Sequence, residues 1–288
     1  SSVGVILSAI FWTWLWGPVG LVLAMPLTVC LVVAGKYVPC LQFISVLIGD
    51  QGTMLSDAER YYQRLLAQDQ EEAGQIVDIH QQNNDLIKTL DDVVLPALVM
   101  CERDRHAGRI DQHQADFVLD ATKDYFDDQH KDNSITSDGP KHVSSLPTVL
   151  CVPARDPADE LVAELCQLVL RTKGISSSVA SVNQLVSEVN ADISTLQPAM
   201  ILISALPPHV NRHTRYWCKK IQQHHPQIRI TVGVWQGQHL KRIRQQLASN
   251  GATQVVHSLT EFATAAATAH LATVGESNPS AVASLATT

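Results

Sequence analysis

At 288 residues the chain is long enough for about two domains, and its formal net charge of −7 hides an asymmetry. Residues 50–140 hold 20 acidic and 8 basic side chains, the remainder 8 and 13; an acidic middle speaks against non-specific nucleic-acid binding there. None of the six cysteines (Cys30, Cys40, Cys101, Cys151, Cys166, Cys218) forms a CxxC pair, which speaks against a zinc ribbon or dithiol redox motif and for free thiols in a reducing compartment.

In chain order, residues 1–35 carry no Asp, Glu, Lys or Arg. A bilayer core takes about 20 apolar helical residues, and Phe11-Trp12-Thr13-Trp14-Leu15-Trp16 supplies the ring cluster of a membrane interface. Gly17-Pro18 interrupts the run, leaving one broken span or two. A secretory signal fits poorly, because there is no basic n-region, the run is too long and the small-residue cleavage pattern is missing. A buried core helix is the remaining alternative. The expectation is a membrane-embedded segment over 1–34 with a short exit to residue 50. The chain opens in mid-hydrophobic segment and without Met, as the C-terminal part of a longer membrane protein would.

Residues 56–129 read as helices. Ser56-Asp57-Ala58-Glu59 has the form of a capping box, and Asp69 is placed to cap a second helix. Leu86, Leu90, Val93, Val94, Ala97, Leu98 and Cys101 recur at helical spacing, with Pro96 predicting a kink. After the stop at Gly108, a fourth helix buries Ala115, Val118 and Leu119. The sum is a four-helix bundle over 51–130. The polar stretch 127–146 reads as a linker.

Beyond it five short apolar runs alternate with helical patterns: 149–152, 179–182, 200–204, 228–234 and 254–257. Unalternating strands joined by helices mean a parallel sheet covered on both faces. The full fold expectation is a membrane α-helix, then an α bundle, then an α/β domain over 148–272 with a flavodoxin-like, doubly wound, five-stranded parallel sheet. The tail from 273 is Ser/Ala/Thr-rich and reads as disordered.

Ligands of such sheets bind at the carboxyl ends of the strands. That places Arg155 and Asp156 after strand one, Ser204 and Leu206 at the end of strand three, and Gly233 and Trp235 at the end of strand four as candidate ligand-binding residues. The bland reading is that Pro and Gly turn the chain and Trp235 covers the sheet edge. Neither GxxxxGK[ST] nor GxGxxG nor GxSxG occurs, so no enzyme activity, catalytic residue or metal site is expected. Lys219, Lys220, Lys241, Arg242 and Arg244 read as surface charge, available to dock electrostatically on the acidic bundle; apolar docking of the sheet's carboxyl edge is the alternative.

Two resemblances follow from these residues. Phe11-Trp12-Thr13-Trp14-Leu15-Trp16-Gly17-Pro18-Val19-Gly20-Leu21 and Ala24-Met25-Pro26-Leu27 resemble the last transmembrane region of the autoinducer-2 exporter family of bacterial permeases. That resemblance implies a multi-pass inner-membrane transporter with cytoplasmic soluble domains, in contact with the lipid bilayer and with transmembrane helices absent from this chain. Residues 65–270 are similar to the helical cap and sheet domain of cobalamin-binding modules, through Leu65-Leu66-Ala67-Gln68-Asp69, Val94-Leu95-Pro96-Ala97-Leu98 and Gly108-Arg109-Ile110. Of that family's DxHxxG, SxL and GG motifs, Asp156, Ser204-Ala205-Leu206 and Gly233 are kept. Ala158 stands where the cobalt-ligating His belongs, Leu161 where the Gly belongs, Val234 at the second Gly, and Arg105 about where a Trp shields the corrin. The functional expectation is a transporter's C-terminal region with a cytosolic sensing or regulatory module unable to ligate cobalt through a histidine; no cofactor is expected, with cobalamin as the alternative. It is expected to form a homo-oligomer and to bind no nucleic acid. The alternative is a membrane-tethered, functional cobalamin-binding module.

Overall fold

The computed structural model describes residues 2–37, 55–136, 148–208, 210–236 and 240–277. These fall into two units, 1–55 and 56–288.

The first unit is a helical hairpin of α1 (Ser2–Trp16) and α2 (Pro18–Tyr37). Gly17 adopts φ +63°, the left-handed region that a Cβ disfavours, and this divides the apolar run. Gly20 lets the helices approach: a Cβ there would lie 1.9 Å from the Trp12 carbonyl oxygen. Trp12 Nε1 donates to Thr28 Oγ1 at 3.2 Å across the pair. The membrane expectation is corrected here. The 15 residues of α1 reach only about 22 Å at 1.5 Å per residue, short of a hydrocarbon core of about 30 Å. Pro26 falls inside α2. Among the described residues no helix is long and apolar enough to cross a membrane. The membrane helix of the fold expectation, the transporter and permease reading, and the multi-pass inner-membrane location are set aside on that finding. The exit segment 38–50 lies outside the described residues.

The second unit begins with the bundle: α3 (Asp57–Leu66), α4 (Gln70–Asn83), α5 (Leu86–Thr89) continuing through a π-helical turn (Leu90–Val94) into α6 (Leu95–His106), and α7 (Gln112–Thr136). The capping box forms, with the Ser56 amide donating to Glu59 Oε2 at 2.8 Å and the Glu59 amide to Ser56 Oγ at 3.2 Å. Asp69 Oδ1 accepts from the Glu72 amide at 3.1 Å. At Pro96, where the sequence predicts a kink, the helix widens. The Leu95 amide donates to the Leu90 carbonyl, five residues back, so the Asp91 carbonyl loses its α-helical partner. Helix α7 runs to Thr136, through the first part of the expected linker; residues 137–147 are outside the described set.

The sheet has strands β1 (Val149–Pro153), β2 (Ser177–Val179), β3 (Met200–Ala205), β4 (Arg229–Val234) and β5 (Gln254–Val256). They lie in the order β2-β1-β3-β4-β5, all parallel, as the flavodoxin-like reading expects. Helices α8 (Pro157–Thr172), α9 (Val186–Leu196), α10 (Val210–His224), α11 (Leu240–Ala248) and α12 (Leu259–Ser277) connect and cover them. The last helix extends five residues past the expected boundary at 272; 278–288 are not described. One sheet face packs Leu150, Ile201, Ile203 and Val232 on α9, α10 and α11. The other is continuous with the bundle, so that Val149, Cys151, Leu202, Trp235 and Phe262 share one core with Leu65, Val77, Leu98 and Val118.

Cap and sheet are also clasped by Asp91, from the π-helical turn. Its Oδ1 accepts from the Leu259 amide at 2.7 Å, and its Oδ2 from the Thr260 amide at 3.1 Å and from Thr260 Oγ1 at 2.8 Å. A carboxylate there satisfies orphan donors at the start of α12 and faces the positive end of the helix dipole. The freed Asp91 carbonyl accepts from Gln236 Nε2 at 3.2 Å. Of the basic residues expected to dock on the bundle, the described ones, Lys219, Lys220 and Arg244, pair with no bundle carboxylate. Arg244 approaches Glu261 of its own domain at 4.0 Å. The cross-domain pair Lys123–Glu164, at 2.5 Å, has the base on the bundle and the acid on α8. The side chains of Lys241 and Arg242 lie outside the described residues. Asp91→Ala removes the cap and the clasp together; it is expected to lower stability by about 1–2 kcal/mol, read as a lower chemical-denaturation midpoint, with Asp91→Asn falling between.

Candidate functional site

The candidate site lies at the carboxyl edge of β1, β3 and β4. Parallel strands end there side by side, Pro153 opposite Ser204 and Ser204 opposite Gly233. Of the six residues expected at the site, Ser204, Gly233 and Trp235 form one slot. Trp235 follows β4 and folds back over it, wholly buried. Its Nε1 donates to Ser204 Oγ at 3.0 Å. Its ring lies against Gly233 so closely that a Cβ at that glycine would stand 2.3 Å from Cζ2. Phe262 of α12 meets the indole edge to face, with centroids 6.4 Å apart. A planar bicyclic ring, a hydroxyl acceptor at its N–H and a glycine beneath it make a well-defined seat.

Leu206 contributes its backbone. Its amide donates to Asp159 Oδ1 at 2.7 Å, while Asp159 Oδ2 accepts from the amides of Arg155 at 3.0 Å and Asp156 at 3.2 Å. Asp159 therefore ties the loop after β1 to the loop after β3. Sequence reasoning missed it; the one available signal was an acid three residues after Asp156 in the first turn of a helix. It is buried, and burial pushes its carboxyl up to about 7 against the pull of the three amides.

Arg155 and Asp156 stand on the rim. Arg155 Nη1 lies 3.3 Å from His213 Nε2. Asp156 faces the bundle, where Arg105 Nη2 approaches its Oδ1 at 3.5 Å. Arg105 is itself held by the buried Glu102, through Nε to Oε1 at 3.1 Å and Nη2 to Oε2 at 2.6 Å. His106 Nε2 lies 3.4 Å from Glu102 Oε2. Carboxylate and imidazole atoms of Glu102, His106 and Asp156 are close enough to share a cation, but the Arg105 guanidinium lies between the two acids and supplies that charge itself. Ala158, fully buried, and Leu161, 5% exposed, face the apolar core, so the loop after β1 offers no imidazole at that position. Cys101, Cys151 and Cys218 are buried, and burial pushes their thiols up to about 12, which keeps them as unreactive core residues.

No protein-family model matches the sequence, and no curated protein matches it. Among solved structures, the chain is similar to a novel cobalamin-binding protein from Desulfitobacterium hafniense DCB-2, with 9% identity and a TM-score of 0.36 over 73% of this chain and 97% of that one. It is also similar to the methanol:cobalamin methyltransferase complex MtaBC from Methanosarcina barkeri, with 14% identity and a TM-score of 0.36 over 74% of this chain and 80% of that one.

Asp159 gives the site a pH signature. Its folded value of about 7 exceeds the value of about 4 in an unfolded chain. The folded state thus keeps this proton to higher pH, and the group's contribution to stability is full below about pH 4 and lost as pH rises through 7. Unfolding free energies of the wild type and Asp159→Asn between pH 4 and 8 test this. The stability advantage of the wild type should shrink across that range, while a constant difference contradicts the assignment.

Proposed function

We propose that residues 56–277 form a corrinoid-recognising module of the cobalamin-binding type, whose slot is guarded by the chain's own indole. The observation that carries this is the seat of Trp235 between Gly233 and Ser204 Oγ. These are the glycine and serine of the two motifs through which the sequence resembles cobalamin-binding modules, and the slot they bound holds a flat, two-ring heterocycle, the indole itself. Cobalamin bears a ring of that size, a benzimidazole, on its nucleotide tail.

The residues fit such a ring and do not fit a protein-ligated cobalt. Ala158 has no lone pair to offer and is sealed in the core. The Arg105–Asp156 contact spans the space between bundle and sheet. The reading is therefore recognition without metal ligation from this loop, suited to sensing rather than to cobalt chemistry or enzyme catalysis. Entry of the ligand requires Trp235 to leave its seat and the Arg105–Asp156 contact to part. A ligand that binds the open form shifts the population toward it by its differential affinity alone.

Trp235→Ala tests this directly. The variant leaves a ring-shaped void, and 5,6-dimethylbenzimidazole should raise its melting temperature while leaving the wild type unchanged. Cobalamin, followed by visible absorbance in equilibrium dialysis, should bind the variant at least about tenfold more tightly than the wild type. Removing a core Trp costs about 3–5 kcal/mol. Arg105→Gln is therefore measured alongside, since it loosens the rim and keeps the indole; it too should tighten cobalamin. Absence of cobalamin binding in both variants overturns the proposal.

A further inference from the structure

The outer surface of α10 carries a feature that the slot does not use. The helix is anchored on its inner side by Trp217, Cys218 and Ile221, all buried, with Trp217 Nε1 donating to the Ala154 carbonyl at 3.0 Å. Its outward face presents Arg212, Arg215, Tyr216 and Lys219, at the i, i+3, i+4, i+7 spacing that aligns side chains. These four, with His213 and Asn250, line an open cavity of about 680 Å³.

Two properties set this groove apart from an ordinary solvated face. First, the groove gathers three cations on one helix face, whereas several cations elsewhere in the second unit sit beside acids: Arg60 with Asp57, Arg64 with Glu72, Arg105 with Glu102, Arg109 with Asp104 and Lys123 with Glu164. Among the described residues, Arg212, Arg215 and Lys219 have no acidic partner and no carboxylate lines the cavity. Arg212 with Arg215, and Arg215 with Lys219, are like-charge pairs at i,i+3 and i,i+4, an arrangement that destabilises a helix. A chain of net charge −7 concentrates positive charge here at a cost to its own stability, which an anion would relieve. Second, Tyr216 sits among these cations with half its surface exposed. An aromatic ring flanked by guanidinium and ammonium groups offers a stacking surface beside phosphate donors.

We propose that this groove binds a nucleoside polyphosphate, with the base stacked on Tyr216 and the phosphates held by Arg212, Arg215 and Lys219. The proposal does not rest on the corrinoid reading. It makes the sheet domain a two-input module, with one input at the carboxyl edge and the other along α10. Arg155, which contacts His213 at 3.3 Å, stands between the two.

Calorimetric titration of the full chain with ATP, adenosine and inorganic tripolyphosphate tests it. ATP should bind more tightly than either of the others. Arg215→Gln combined with Lys219→Gln should weaken ATP by about tenfold or more, as loss of charge-assisted contacts does. Tyr216→Leu should weaken ATP by about fivefold or more and leave tripolyphosphate unchanged. All three positions are exposed, and circular dichroism verifies that the variants keep the fold. Three results overturn the proposal: no ATP binding at millimolar concentration, affinities unaffected by the variants, or tripolyphosphate binding as tightly as ATP. Salt-sensitive self-association lost in the same variants, without nucleotide binding, overturns it too and assigns the groove to an acidic protein face.

Discussion

The seat of Trp235 is the contact on which the rest of the second unit depends. Burying a Trp removes about 150–250 Å² from water, on the order of 4–6 kcal/mol at 25 cal/mol per Å². That gain requires three separate conditions. Position 233 must lack a Cβ, because any side chain there would occupy the ring's own volume. A hydroxyl must meet the indole N–H, since a buried donor without a partner costs about 1–3 kcal/mol; Ser204 Oγ does so. Phe262 must meet the indole at right angles, and Phe262 is placed by α12, whose first amides are held by Asp91 of the bundle. The indole thus links β3, β4, α12 and, through α12, the helical cap.

The cap is held on the sheet by chemistry that net charge does not reveal. The bundle is strongly acidic, yet its contacts with the sheet domain are an apolar core continuous across both and a few directed polar bonds. Asp91 is the chief of these. Its position follows from Pro96 five residues later: the proline has no amide to donate, the helix widens to a five-residue step, and the Asp91 carbonyl turns outward to Gln236. One proline therefore creates both the irregular turn and the free acceptor that meets the neighbouring domain. The acidic surplus elsewhere on the bundle is its solvated face.

Much of the architecture was legible because burial leaves a periodic trace. The strand runs at 149–152 and 200–204 are apolar without alternation, which only a sheet covered on both faces produces. The Ser56–Glu59 cap and the Asp69 cap were legible because capping is local. Ser204, Gly233 and Trp235 were legible as neighbours from strand order alone. Asp159 was not, because its three donors come from two loops, one of them 47 residues further along the chain than Asp159 itself, and no periodicity encodes that. The Arg105–Asp156 contact, between residues in different domains, was equally invisible. The reading of the N-terminal segment failed for a different reason. Composition reports that a stretch is apolar, whereas the length of each helix within it is set by one residue, Gly17, in the left-handed region.

The departures from the cobalamin-module pattern are better understood together than singly. A slot that lost only its metal-ligating His would keep a void at the sheet edge, and voids cost about 24 cal/mol per Å³. Here the volume is accounted for. Leu161 packs where the pattern has Gly, Trp235 fills the ring-shaped seat, and Arg105 reaches Asp156 across the rim. The result is a form that is stable without ligand. On the corrinoid proposal the same packing would limit what a ligand can achieve, because it would have to displace an indole whose burial is worth several kcal/mol. Each 1.4 kcal/mol of that competition weakens apparent affinity tenfold. A closed form favoured by about 4 kcal/mol would raise an intrinsically nanomolar dissociation constant to the micromolar range. For the corrinoid module proposed above, that range would suit a sensor, which must release its ligand as concentration falls, better than a carrier that holds a cofactor through many turnovers.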